Sequence, residues 1–87
     1  MVPGKTAVAR MATPSKTVYR LTMPTMAGPT VREIQMKLLA SGFDPGIPDG
    51  EFGPHTQAAV VAFQLTHGLT PDGEVGPTTA EALGLQL

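Results

Sequence analysis

An all-α fold, a compact three-helix module behind an extended N-terminal arm, is what this 87-residue chain predicts. Three observations carry that reading. Asp49-Gly50-Glu51-Phe52-Gly53-Pro54-His55-Thr56 returns 23 residues later as Asp72-Gly73-Glu74-Val75-Gly76-Pro77-Thr78-Thr79, with six of eight positions identical. Each copy runs straight into an Ala-containing stretch of helical character. Residues 1–28, by contrast, are rich in Pro, Thr and Met and carry no helical periodicity. The division is therefore an arm over 1–29 and a domain over 30–87.

In chain order, the arm comes first. Thr17-Val18-Tyr19-Arg20-Leu21-Thr22 alternates weakly, as a short strand would. A purely solvated arm has little use for Val18, Tyr19, Leu21, Met23 and Met26, so these are expected to lie against a partner. The first helix begins at Thr30, where Thr30-Val31-Arg32-Glu33 fits a capping box, and runs to about residue 41 before Gly42. Val31, Ile34 and Leu38 follow the spacing of a buried stripe, and Phe43 and Ile47 fall in the loop beyond.

The repeat follows. In Asp-Gly, the Asp side chain can accept from a backbone amide two residues on, and Gly tolerates positive φ. Phe52 or Val75 is the one residue in each turn able to anchor in a core. Gly-Pro then opens a helix, with Pro at the first helical position. Thr56 and Thr79, two residues past each Pro, can bond back toward the loop. The second helix spans about 54–67 with Ala59, Val60 and Phe63 inward, and a short third helix spans 77–83 before Gly84.

Composition narrows the function. A chain this short buries only ~60–65% of its unfolded surface. It has no cysteine, which excludes disulfides and Cys-based zinc sites. His55 and His67 have no carboxylate at ligand spacing, so neither metal nor cofactor is expected. No apolar run approaches the ~18–20 residues of a membrane span. Pro3, Pro14 and Pro24 break up any secretory signal, so none is expected. Net charge is −1, but the first 30 residues carry Lys5, Arg10, Lys16 and Arg20 without an acid, and the remainder carries all seven acids. Four dispersed bases are too few for nucleic acid. Every acid sits on a turn or near a helix start, and no nucleophile–His–carboxylate set is present, so no catalytic residue is assigned and no enzyme is expected.

Val31-Arg32-Glu33-Ile34-Gln35, Leu38, Gly42-Phe43, both eight-residue repeats, Ala59-Val60, Ala62-Phe63-Gln64 and His67-Gly68-Leu69 together resemble the peptidoglycan-binding-domain-like family. These are small three-helix modules appended to cell-wall hydrolases, and the resemblance covers about residues 30–85. It implies non-catalytic binding of peptidoglycan, through glycan or stem peptide, in a groove beside the first repeat and second helix. Carried onto this chain, the implied ligand residues are Asp49, Glu51, His55, Gln57 and Gln64. One departure concerns outward apolar residues: Met36 and Leu39 on the first helix, Val61 and Leu65 on the second. Their cover is expected to be the arm or a neighbouring chain.

The expected role is thus a peptidoglycan-binding module built into a larger particle and anchored to its other structural proteins through residues 1–29. A phage virion (head decoration, tail or baseplate), assembled in the cytoplasm and acting outside it, fits best. The alternatives are a purely structural assembly protein that no longer binds glycan, and the targeting module of a cell-wall hydrolase. On this reading, deleting residues 1–28 leaves the domain folded but unattached.

Overall fold

The computed structural model describes residues 17–86. The arm charges Lys5, Arg10 and Lys16 lie outside the described residues. Three helices are present: α1 (Pro29–Ala40), α2 (Pro54–Thr66) and α3 (Pro77–Leu83). All three start the same way, a glycine N-cap followed by proline: Gly28-Pro29, Gly53-Pro54 and Gly76-Pro77. Proline suits that position because its missing N–H has no helical partner there and its φ is already helical. The expected Thr30–Glu33 capping box is therefore corrected. Thr30 lies inside α1, Gly28 is the cap, and no side chain caps the helix.

The helix ends also match one another. Phe43 N–H donates to Leu38 O, Leu69 N–H to Gln64 O and Leu85 N–H to Ala80 O, each at 2.8 Å. Each closure passes through a glycine and turns the following apolar residue back toward the domain, as in the Schellman motif. Leu85 ends up buried, while Phe43 and Leu69 pack against the core from its edge.

α1 packs against both α2 and α3. It contributes Val31, Ile34 and Leu38, α2 contributes Ala59, Val60 and Phe63, and α3 contributes Ala80 and Leu83. Phe52 and Val75, the loop residues expected to anchor, are both 0% exposed. Burying such a side chain contributes ~1.5–3 kcal/mol, which ties each repeat loop to the core.

The arm departs most from expectation. Residues 17–28 run along the domain's own surface as a strap and pair with both repeat loops. Tyr19 and Val75 exchange backbone bonds of 3.1 and 2.7 Å, forming an isolated antiparallel bridge in place of the expected strand. Further on, Gly28 N–H donates to Gly50 O at 2.9 Å and Phe52 N–H to Met26 O at 2.8 Å. Tyr19, Leu21 and Met26 are half-buried against the core, and Val18 is half-buried beside the second loop. These four, expected to contact a partner, are spent on the chain's own fold. Met23 alone of that set projects, at 91% exposure. Residues 17–28 thus contribute packing and loop bonds to the fold of the domain.

Candidate functional site

Each repeat loop is built around one buried glutamine. Gln35, on α1 and 1% exposed, directs its amide NH2 at Asp49 Oδ1 (3.2 Å), Glu51 O (3.0 Å) and Thr56 Oγ1 (3.0 Å). Its Oε1 accepts from Gly50 N–H at 2.8 Å. Gln64, on α2 and also 1% exposed, repeats the set: Asp72 Oδ1 (2.9 Å), Glu74 O (2.9 Å), Thr79 Oγ1 (3.1 Å), and Gly73 N–H onto its Oε1 (2.9 Å). A buried amide is tolerable only when its donors and acceptor are all used, and here they are. The expected threonine bond toward the loop therefore runs through the glutamine.

Gln64 is accordingly removed from the ligand set. Its side chain is enclosed, and its polar atoms are committed to the second loop. Gln57 also falls outside the groove on the first loop. It is half-buried, and its Cγ lies 3.0 Å from where a Cβ on Gly73 would sit. Val61, expected to face outward, is half-buried beside the same glycine. At φ 75°, and with two side chains this near, position 73 has room only for glycine.

The turn aspartates hold their loops from the outer side. Asp49 Oδ1 accepts from Glu51 N–H and Asp72 Oδ1 from Glu74 N–H, both at 2.9 Å, as the Asp-Gly pattern implied. The Glu51 amide foremost, then the Gln35 side chain, holds the Asp49 carboxyl below the usual aspartate range. For Asp72 the Glu74 amide leads and Gln64 follows. Hydrogen bonds to the charged form favour it, which lowers both carboxyls in the same direction.

Outside the first loop lies a groove of ≈ 620 Å³. Asp49, Glu51 and His55 all line it, so three of the five residues named for ligand binding converge. Residues not foreseen complete it: Thr25 from the strap, and Asp44, Gly46 and Ile47 from the corner between α1 and the loop. Asp44 Oδ1 accepts from Gly46 N–H at 2.8 Å and so shapes that corner. Ile47 is 79% exposed, an apolar side chain offered at the groove edge. Its position between Pro45 and Pro48, off any helical stripe, was the available signal. Three carboxylates and no Lys or Arg line the groove, which suits a ligand bearing N–H donors or an ammonium group.

The aromatic residues serve packing. Phe43 meets Phe63 edge-on at 5.6 Å, and His67 stacks on Phe63 at 4.0 Å while its Nδ1 donates to Phe63 O at 2.9 Å. Met36, Leu39 and Leu65 are exposed at 47%, 41% and 64%, as their helical positions implied. Among the described residues, no group of three His, Cys, Asp or Glu side chains is placed to hold a metal ion.

Comparison with known proteins places this architecture. Residues 27–83 match the family described as "Putative peptidoglycan binding domain". The N-acetylmuramoyl-L-alanine amidase CwlL of Bacillus licheniformis is 45% identical over 62 residues, covering 63% of this chain. The amidase CwlM of Mycobacterium tuberculosis is 35% identical over 69 residues, covering 79%. In both cases the match spans 17% of the relative's length. Among solved structures, the N-terminal domain of SleB superposes with a TM-score of 0.73 at 36% identity, covering 80% of this chain and 92% of that one.

Proposed function

We infer function from one premise: the chain belongs to the peptidoglycan-binding domain family, whose match covers residues 27–83. On that premise it is a non-catalytic module that binds peptidoglycan in the groove of the first loop. The observation that carries this reading is the convergence of Asp49, Glu51 and His55 in one acidic groove. Its carboxylates suit the amide N–H and ammonium groups of a stem peptide, and Thr25 and His55 suit glycan hydroxyls or N-acetyl groups. The turn aspartates Asp49 and Asp72 each accept from an amide of their own loop.

The amidase relatives support a targeting role, in which the module holds a wall-acting partner against its substrate. Membership of a particle such as a phage virion is the second reading. The exposed Met36, Leu39 and Leu65 favour it, since an assembly surface would cover them. Sedimentation with purified cell-wall sacculi tests the shared core of both readings. The chain is expected to pellet, and Glu51→Arg, an exposed change, to leave most of it in the supernatant. A wild-type chain that stays in solution would defeat the binding reading and leave a purely structural protein.

A further inference from the structure

The second loop carries a cleft that the reading above does not use. It encloses ≈ 480 Å³ between three walls: Val18 of the strap, Leu69 and Thr70 after α2, and Asp72, Glu74 and Thr78 of the loop and α3. At the 23-residue offset of the repeat, Asp72, Glu74 and Thr78 take the places of Asp49, Glu51 and His55. Beneath each cleft sits the same buried threonine, bonded to the same kind of buried glutamine. A strap residue forms one wall in both cases, Thr25 in the first and Val18 in the second. The surroundings differ: a hydroxyl replaces the imidazole, Val18 and Leu69 are the apolar side walls of the second cleft, and the corner of Asp44, Gly46 and Ile47 belongs to the first groove alone.

We propose that this cleft is a second peptidoglycan-binding site. It takes the same stem-peptide chemistry, amide N–H groups with a free ammonium, and the chain therefore grips the wall at two points. The proposal rests on the first groove being a peptidoglycan site. Its physical basis is the conserved placement of acceptors over a shared frame, with two carboxylates and no Lys or Arg in the lining. Peptidoglycan repeats its stem peptides along a polymer, so the second contact on a sacculus becomes intramolecular and multiplies affinity. A soluble fragment gains no such factor.

The intact chain titrated with a soluble stem peptide bearing a free ammonium, followed by ¹H–¹⁵N spectra, tests this. Amides around Gly46 and Glu51 are expected to move as one set and those around Thr70 and Thr78 as another. Thr78→Arg, at an exposed position, should abolish only the second set and weaken binding to sacculi at least about tenfold. Thr70→Arg blocks the opposite wall without touching α3 and should do the same. Shifts confined to the first set overturn the proposal and leave the first groove standing. Shifts confined to the second set overturn the first-groove reading and, with it, the two-point grip. No shift in either set overturns both.

Discussion

The loops at 49–56 and 72–79 share an internal frame and differ in what surrounds it. In each, one buried glutamine binds an aspartate, a backbone carbonyl, a threonine hydroxyl and a glycine N–H at nearly the same distances. The chain between glutamine and aspartate differs, however: they stand 14 residues apart in the first loop and 8 in the second. The longer connection supplies Asp44, Gly46 and Ile47, which form the extra wall of the larger groove. The strap also reads the two loops in different registers. Tyr19 and Val75 form a hydrogen-bonded pair, whereas Ala27 and Glu51 form a non-hydrogen-bonded pair flanked by bonds. A stable frame set by a few polar atoms thus tolerates different surroundings, and recognition is placed in those surroundings.

The anchors give the sharpest contrast. Phe52→Ala is expected to cost about 3–5 kcal/mol, because it empties a large and fully enclosed site. Val75→Ala removes less and should cost roughly 1.5–3 kcal/mol. Urea denaturation of the two variants measures both. Equal losses would mean that the second loop depends on its anchor as heavily as the first.

Next in size are the glutamines. Gln35→Leu leaves the buried Gly50 N–H without its acceptor, and Gln64→Leu does the same to Gly73, at about 1–3 kcal/mol each. The two should part in function. Gln35→Leu loosens the first loop and weakens its groove, whereas Gln64→Leu leaves that groove intact. Binding of a soluble stem peptide at the first groove, measured beside thermal melts, separates these effects.

The smallest effect is on pH dependence. Asp49 and Asp72 are held below the ordinary aspartate value by their amide donors, so the folded state binds protons less readily than the unfolded one. Their stabilisation is complete above about pH 4 and fades as the pH falls through their lowered values. Melting temperature should therefore decline below about pH 4. Asp49→Asn with Asp72→Asn should flatten that decline, and an unchanged slope would assign it to other acids.

Much of the fold was legible because it is written in local chemistry. The doubled Asp-Gly-Glu-x-Gly-Pro-x-Thr pattern fixed both loops and two helix starts, and the bounds of α3 matched expectation. The start of α1 was misplaced because Thr30 and Glu33 resemble a capping box, although Gly28-Pro29 repeats the dipeptide that opens the other helices. The strap was legible only in part: Tyr19, Leu21 and Met26 called for cover, but the backbone bonds that dock them onto loops distant in sequence leave no side-chain pattern. Gln64 was misread for a related reason. A polar residue on a helix ordinarily faces water, and only its pairing with a turn eight residues on keeps it inside. Asp49, Glu51 and His55 were found because they lie on the repeat itself, whereas Thr25 and Ile47 reach the groove from segments the repeat does not include.

Calorimetric titration of the intact chain with a soluble stem peptide carrying a free ammonium, beside the Glu51→Arg variant, tests the central claim most directly. The account predicts saturable binding whose first-groove component the variant loses or lowers at least about tenfold, a change of ~1.4 kcal/mol or more, with no change in melting temperature. Wild-type heats that never saturate, or a variant that binds as the wild type does, would contradict it.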